Sequence, residues 1–359
     1  MTQATDQQAP TPEAMAFVGK VIDNASGMMA IRLCAIGDRL GLFKDLAENG
    51  PATSVALAAR TGLNERYLRE WIYGMFLGGY LNFDKQSREV SMPEAHIPAL
   101  VDVGGPLFQG GLFKMFTGFM EPYEDLIEAF QQGGGIAYES YPDDFWKGLE
   151  HNSCVRYKNL LVSQWLPEMP DVQAKLENGG TFADFGCGAG RSSIELAKAY
   201  PKARFYGFDL FPQNIENARK TAEEEGVSDR VEFQVHDISK GVPGKFDVVA
   251  TFDLIHDMAD PKGGLKALRQ ACKDDGIYVL MDVDCTDDPA DNQGPLALFK
   301  LGASLHFCMT TSLGQGGMGL GTVGLPESKV VEFSSEAGFS TVRRLPIEHP
   351  LNALYEIRP

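Results

Sequence analysis

Residues 184–190 read Asp184-Phe185-Gly186-Cys187-Gly188-Ala189-Gly190. The apolar run 181–185 leading into them predicts a strand, and the amphipathic run 191–199 that follows predicts a helix. Glycines at such a turn let the backbone bend sharply and let a ligand approach the amino end of the helix. The dinucleotide fingerprint G-x-G-x-x-G/A does not fit here. Counted from Gly186 its sixth position is Arg191, and counted from Gly188 it is Ser193. Asp184 also opposes a diphosphate, which its carboxylate would repel. A ligand with an amino-acid end suits the turn better, its ammonium facing Asp184 and its carboxylate facing the helix start. The plainer alternative is a tight strand–helix turn in which Asp184 is a local cap.

Outward from this turn, strands are predicted at 203–209, 231–237, 246–252 and 276–283, and helices at 213–225, 262–273 and 326–338. Alternation at this spacing means a parallel sheet with helices on both faces. Two further strands, 340–346 and 352–358, have no helix between them, so this last pair is expected to be antiparallel. Asp209 ends the second strand, 19 residues after Gly190, where a carboxylate accepts the hydroxyls of a ribose. Leu210 and Phe211 beside it are placed to pack on an adenine. Asp237 ends the third strand, where it is expected to accept an adenine amino group. Three acids at the carboxyl ends of successive strands lie where open sheets bind ligands.

With these residues in place, the stretch 170–359 resembles a class I S-adenosylmethionine-dependent methyltransferase domain. Its first motif is matched at 184–190, its ribose acid at Asp209 and its adenine acid at Asp237. The resemblance implies an α/β fold, a Rossmann-like seven-stranded methyltransferase sheet with its last strand antiparallel, over 176–359. It implies S-adenosylmethionine as cofactor, held by Asp184, Gly186, Cys187, Gly188, Gly190, Asp209, Leu210, Asp237, Ile238, Phe252 and Asp253. The segment Phe252-Asp253-Leu254-Ile255-His256-Asp257-Met258 is similar to the His-Asp segment of O-methyltransferases, whose histidine is a general base. That makes His256 the catalytic candidate, an imidazole suited to taking a proton from an activated hydroxyl. Asp257 is its neighbour or a cap for the helix at Pro261. The family usually has Trp after the His-Asp pair; this chain has Met258.

Residues 13–100 read as helices followed by a hairpin. Phe17, Val18, Val21 and Ile22 lie at helical spacing. A short helix, 54–60, is closed by Gly62, and Asn64 caps the next one, with Tyr67, Leu68, Trp71, Ile72, Met75 and Phe76 as its apolar stripe. Leu81, Phe83, Val90 and Met92 flank a turn at 84–87. Helix, turn, helix and hairpin make an α-rich winged-helix domain, similar to the dimerisation domain of bacterial and plant small-molecule methyltransferases. The resemblance implies a homodimer through these helices. Residues 101–175 are read as a helical connector and pocket lid, with Tyr138, Tyr141 and Phe145 facing the acceptor from one side and His306 from the other. Residues 1–12 are expected to be a disordered tail.

The chain has 359 residues and a formal net charge of −17, which repels nucleic-acid phosphates and anionic lipid. No basic, apolar leader and no apolar run near the ~20 residues of a membrane span is apparent. The six cysteines lack C-x-x-C spacing, so reduced thiols in a cytoplasmic protein are expected. The expected partner is a small-molecule acceptor, with no nucleic acid, no membrane and no metal. Asp291-Asn292 could mimic the magnesium ligands of catechol methyltransferases, but a solvated acidic loop fits it better. Two other functions remain open: a DNA-binding regulator and a non-catalytic cofactor-binding protein. Against the first, the would-be recognition helix Glu65-Arg66-Tyr67-Leu68-Arg69-Glu70 balances its bases with acids.

Overall fold

The computed structural model describes residues 10–359; of the tail expected at 1–12, residues 1–9 lie outside the described residues, and Thr11 and Pro12 belong to the start of a helix instead. The chain divides into two compact units, residues 1–117 and 118–359.

In the first unit, α1 (Pro12–Arg39) starts at Thr11, whose hydroxyl accepts from the Ala14 amide, with Pro12 at the first helical position. Then come α2 (Leu42–Asn49), α3 (Ser54–Thr61) and α4 (Glu65–Leu77). Gly62 ends α3 at φ 72°, and the Asn64 side chain caps α4. Leu68, Trp71, Ile72 and Met75 are buried at helical spacing, and the Trp71 indole donates to the Leu33 carbonyl at 2.9 Å. Strands β1 (Asn82–Phe83) and β2 (Val90–Ser91) form the wing, with the Gln86 and Ser87 amides bonded to Asp84 in the turn. The short α5 (Ile97–Leu100) packs on the same core, and α6 (Gly110–Phe119) spans the division between the units. On α4 the arginines are spent on the helix's own acids, Arg66 on Glu70 at 2.6 Å and Arg69 on Glu65 at 2.7 Å. The expected apolar stripe at the start of α1 is not covered by the described residues. Phe17, Val18, Val21 and Ile22 are 48–65% exposed.

The second unit opens with α7 (Tyr123–Gln132), α8 (Asp143–Arg156), a π-helical segment Tyr157–Trp165 and α9 (Pro170–Glu177). There follow β3 (Thr181–Phe185), α10 (Arg191–Ala199), β4 (Arg204–Asp209), α11 (Pro212–Glu224), β5 (Val231–Val235), β6 (Phe246–Phe252), α12 (Pro261–Ala271) and β7 (Cys272–Val283). A helix then runs from α13 (Gly294–Ala303) through a π-helical segment Ser304–Cys308 into α14 (Met309–Gly314). The chain ends with α15 (Glu327–Glu336), β8 (Thr341–Arg344) and β9 (Asn352–Arg358). The seven-stranded sheet has the order β5-β4-β3-β6-β7-β9-β8, with β9 antiparallel to both neighbours and the others parallel.

Alternate strand residues face opposite layers. Phe182, Val248 and Val279 pack under Leu161, Trp165, Val172 and Ile194, while Ala183, Val249 and Leu280 pack under Leu265, Leu268 and Phe333. Strand order reverses at β3, which pairs with both β4 and β6. The carboxyl end of β3 therefore opens onto the crevice between diverging crossovers. The expected strand at 276–283 extends back to Cys272 through a register shift opposite Phe246 and Val248.

One correction concerns apolar length. The continuous helix Gly294–Gly314 reaches a membrane-spanning length at mean hydropathy 1.2, with 44% of that stretch buried. Its polar ties are to its own domain: Lys300 Nζ donates to the Asp284 carbonyl, and Ser312 Oγ donates to the Met258 carbonyl at 2.9 Å. Such ties fasten the helix to its own domain.

Gly190 offers a test of this packing. Its φ is +72°, and a Cβ there would sit 2.3 Å from Phe233. Gly190→Ala is expected to lower stability in chemical denaturation by about 1–3 kcal/mol, and Phe233→Leu in the same chain should recover part of the loss.

Candidate functional site

The β3 turn is built around a buried acid. Asp184 ends β3 at 2% exposure. One carboxylate oxygen, Oδ2, accepts from the Ser192 hydroxyl in the first turn of α10; the other, Oδ1, is buried with no hydrogen-bond partner. Burial pushes its pKa up to about 7, against the opposing Ser192 bond. Gly188 has φ +53° and open space where a Cβ would stand, and Gly186 has φ +74°. An unsatisfied acid beside a bare backbone cradle fits a ligand that brings its own cation.

Asp209 ends β4 and is held rather than free. Its Oδ2 accepts from the Gly188 amide at 2.8 Å, and its Oδ1 accepts from the Phe211 amide and from Asn214 Nδ2. Burial raises its pKa, and these three donors pull the other way. The Gly188 bond ties the glycine turn to the second acid. Asp237 lies two residues beyond the end of β5, which stops at Val235, and caps the short 3₁₀ turn Ile238–Lys240, bonded to Ser239 and paired with Lys240 at 3.1 Å. The sequence could not show that the strand stops two residues early. Leu210 is 48% exposed, and Cys187 and Phe252 are buried.

At the end of β6 the backbone is unusual. Asp253 has φ +52°, one of two positive-φ residues other than glycine among the described residues. Its carboxylate is gripped from two distant places, by Arg156 at 2.8 Å and by Asn352 Nδ2, and Arg156 bonds Asn352 Oδ1 at 2.8 Å. This clamp fixes the direction in which the chain leaves β6. Three residues on, His256 is buried, 3% exposed. Its Nδ1 lies 2.5 Å from Asp282 Oδ1, and its Nε2 lies 3.1 Å from Asp257 Oδ1. Asp282, at the end of β7, also receives the His256 and Val283 amides. Burial alone would lower the imidazole pKa, but Asp257 and Asp282 outweigh it and hold the pKa well above the ordinary value. The cap of α12 is Asp260, which accepts from the Gly263 amide; Asp257 faces the histidine instead.

The four expected pocket residues come together around Phe307. Ring centroids of Tyr138, Tyr141 and Phe145 lie 6.0, 5.1 and 4.8 Å from it. The Tyr141 hydroxyl donates to the His306 carbonyl, and the His306 ring bonds the Gly302 carbonyl at 2.8 Å. Tyr138 is sandwiched between Trp146 and Phe211, each at 4.1 Å. One face of Phe211, a residue expected to pack on an adenine, is thus taken by an aromatic of its own chain. Asp291 and Asn292 form a separate surface turn, in which Asn292 bonds Thr286. The sequence reading missed Arg156, Asn352, Trp146 and Phe307. Asp282 carries a signal in the sequence, as an acid near the end of the strand expected at 276–283.

Residues 176–306 match the family described as a methyltransferase domain, and residues 27–101 match an Rv2258c-like winged HTH domain. A mitomycin biosynthesis 6-O-methyltransferase of Streptomyces lavendulae is 24% identical over 296 residues, 80% of this chain and 84% of that one. Three further curated relatives match locally, over less than a third of their own length. Among solved structures, a mitomycin 7-O-methyltransferase superposes with TM-score 0.70 at 21% identity, covering 97% of this chain and 99% of that one. Human N-acetylserotonin methyltransferase in complex with SAM also gives 0.70, at 20% identity, covering 100% and 99%. These structures share the fold.

The strained protonation of Asp184 predicts a pH-dependent gain in stability. The folded acid titrates near 7 and the unfolded one near the ordinary value of about 3.9. Ionising the buried group therefore costs stability that grows as pH rises between those values. Asp184→Asn should raise the melting temperature of the ligand-free protein at pH 8, and the gain should fade toward pH 4.

Proposed function

We propose that this chain, an S-adenosylmethionine-dependent methyltransferase with an N-terminal winged-helix domain, methylates a hydroxyl group on a small, largely aromatic molecule. The observation that carries the reading is His256, buried at the exit of β6 and bracketed by Asp282 on Nδ1 and Asp257 beside Nε2. The O-methyltransferases to which the chain is similar add weight, as does the cluster of aromatic rings around Phe307.

When bound, the cofactor supplies an activated methyl group on a sulfonium. The rest falls to side chains. Asp184 Oδ1 pairs with the ammonium of the amino-acid end, beside the open backbone at Gly188 and near Gly186 and Gly190 of the same turn. Asp209, already oriented by Gly188, Phe211 and Asn214, accepts the ribose hydroxyls with its remaining lone pairs. Asp237 and Ile238 lie toward the adenine, with Cys187 and Leu210 around the turn and Phe252 and Asp253 at the end of β6. Tyr138, Tyr141, Phe145 and His306 border the acceptor. His256 Nε2 takes the hydroxyl proton, while Nδ1 keeps its bond to Asp282, which holds the ring in one orientation. Alignment and exclusion of water supply most of the rate.

The partner in assembly is proposed to be a second copy of the chain. Residues 12–29 form helix exposed on nearly every side, carrying Met15, Phe17, Val18, Val21, Ile22, Met28 and Met29 at 48–65% exposure. A projecting apolar helix of this kind is marginal without a covering surface. The cytoplasm is the proposed compartment, in keeping with six free thiols.

The test is a phenol panel with labelled cofactor. His256→Ala should leave adenosylhomocysteine binding intact and slow methylation by about 10²–10⁴-fold; unchanged turnover on the true acceptor would remove His256 as base. Because Asp257 and Asp282 raise its pKa, the acid limb of the rate profile should lie above the ordinary imidazole range and fall when Asp282 is changed to Asn. Asp209→Ala should weaken adenosylhomocysteine by about tenfold or more. In sedimentation the full chain should be a dimer, and Phe17→Asp with Ile22→Asp should make it a monomer.

A further inference from the structure

The β6 exit loop and the π-helical segment Ser304–Cys308 bring three different donor groups to one point. His256 Nε2, Asp257 Oδ1 and Cys308 Sγ lie within 4.8 Å of one another. They come from sequence positions about fifty residues apart, so the grouping is a product of the fold.

Two further observations give this cluster a direction. Asp257 Oδ1 is buried and lies 3.1 Å from His256 Nε2, with no other donor on it among the described residues. A buried carboxylate oxygen whose neighbour is an imidazole nitrogen suits a cation that takes the place of the proton between them. On the far side of the ring, Nδ1 is held by Asp282 at 2.5 Å. A carboxylate behind a histidine is the arrangement that fixes ring orientation and strengthens the other nitrogen as a metal ligand.

We infer that His256, Asp257 and Cys308 form a site for a single zinc-like divalent cation, with a fourth coordination position left for water or an acceptor oxygen. Imidazole, carboxylate and thiolate are all zinc ligands, and three of them with one open position is the pattern of exchangeable sites. The thiolate selects against magnesium and calcium, which prefer oxygen. On binding, the Cys308 thiol and any protonated His256 release their protons to solvent, and no electron moves. This inference rests on the same cleft as the proposed methylation and adds a regulation to it. Nε2 cannot hold a metal and accept a proton at once, so the cation and the methylation of a hydroxyl exclude each other.

The test uses full-length protein stripped with chelator and titrated with cobalt(II), followed by absorption. The expected result is saturation at one equivalent, with a thiolate-to-cobalt charge-transfer band in the near ultraviolet and the intense visible bands of four-coordination, both displaced by zinc. Cys308→Ser should lose the near-ultraviolet band, and Asp257→Asn should weaken binding by about tenfold or more. Absence of the charge-transfer band at one equivalent overturns the site. So does the same band persisting in Cys308→Ser, which would place the metal on another thiol. If Cys308→Ser fails to fold, unchanged affinity in Asp257→Asn overturns it. The readout needs no methyl transfer, so failure here leaves the proposed reaction standing, and failure of that reaction leaves the metal result standing.

Discussion

A carboxylate stripped of water and given one hydrogen bond is the constraint on which the site depends. Asp184 sits at the end of β3 where the strand order reverses, with Ser192 on one oxygen and nothing on the other. A protein tolerates such a group when a ligand completes it. Gly188 leaves open space in the turn that follows, and Asp209 accepts from the Gly188 amide, so the first and second acids are mechanically joined. Such a turn is suited to a ligand carrying a cation and is ill matched to one carrying a diphosphate.

The acceptor side is organised by a different kind of charge. Two carboxylates hold one imidazole in a dry setting, and their field exceeds the penalty of burial. The Arg156–Asp253–Asn352 clamp stands behind this, keeping Asp253 at positive φ and so fixing the path of the loop that delivers His256. A side chain on α8 and another at the start of β9 thereby position a histidine that neither touches. Strain at this exit is of the kind found where a loop must present chemistry, at roughly 1–3 kcal/mol per residue. The same charge that raises the basicity of His256 also makes its surroundings receptive to a divalent cation.

Much of the sheet was legible because alternation of apolar residues and the glycine turn are local signals. The strands at 181–185, 246–252 and 352–358 have the expected bounds, and Gly62 and Asn64 do what their chemistry suggests. Contacts that join distant segments were not legible. Asn352 meets Asp253 across 99 positions, and Tyr138 stacks on Phe211 from an irregular stretch before α8. Nor could periodicity distinguish an apolar helix face buried in its own chain from one left for another, which is why the start of α1 reads like core and stands exposed. The π-helical turn that carries Cys308 toward His256 has no sequence signature of its own.

Calorimetry with adenosylhomocysteine at pH 7, repeated in buffers of different ionisation heat, reaches the central claim most directly. If the ligand's ammonium completes Asp184, binding is one-to-one and releases a fraction of a proton per site, and Asp184→Asn loses both that release and most of the affinity. No heat with adenosylhomocysteine alongside tight uptake of a nicotinamide dinucleotide would contradict the account, as would binding whose affinity and proton count are untouched by Asp184→Asn.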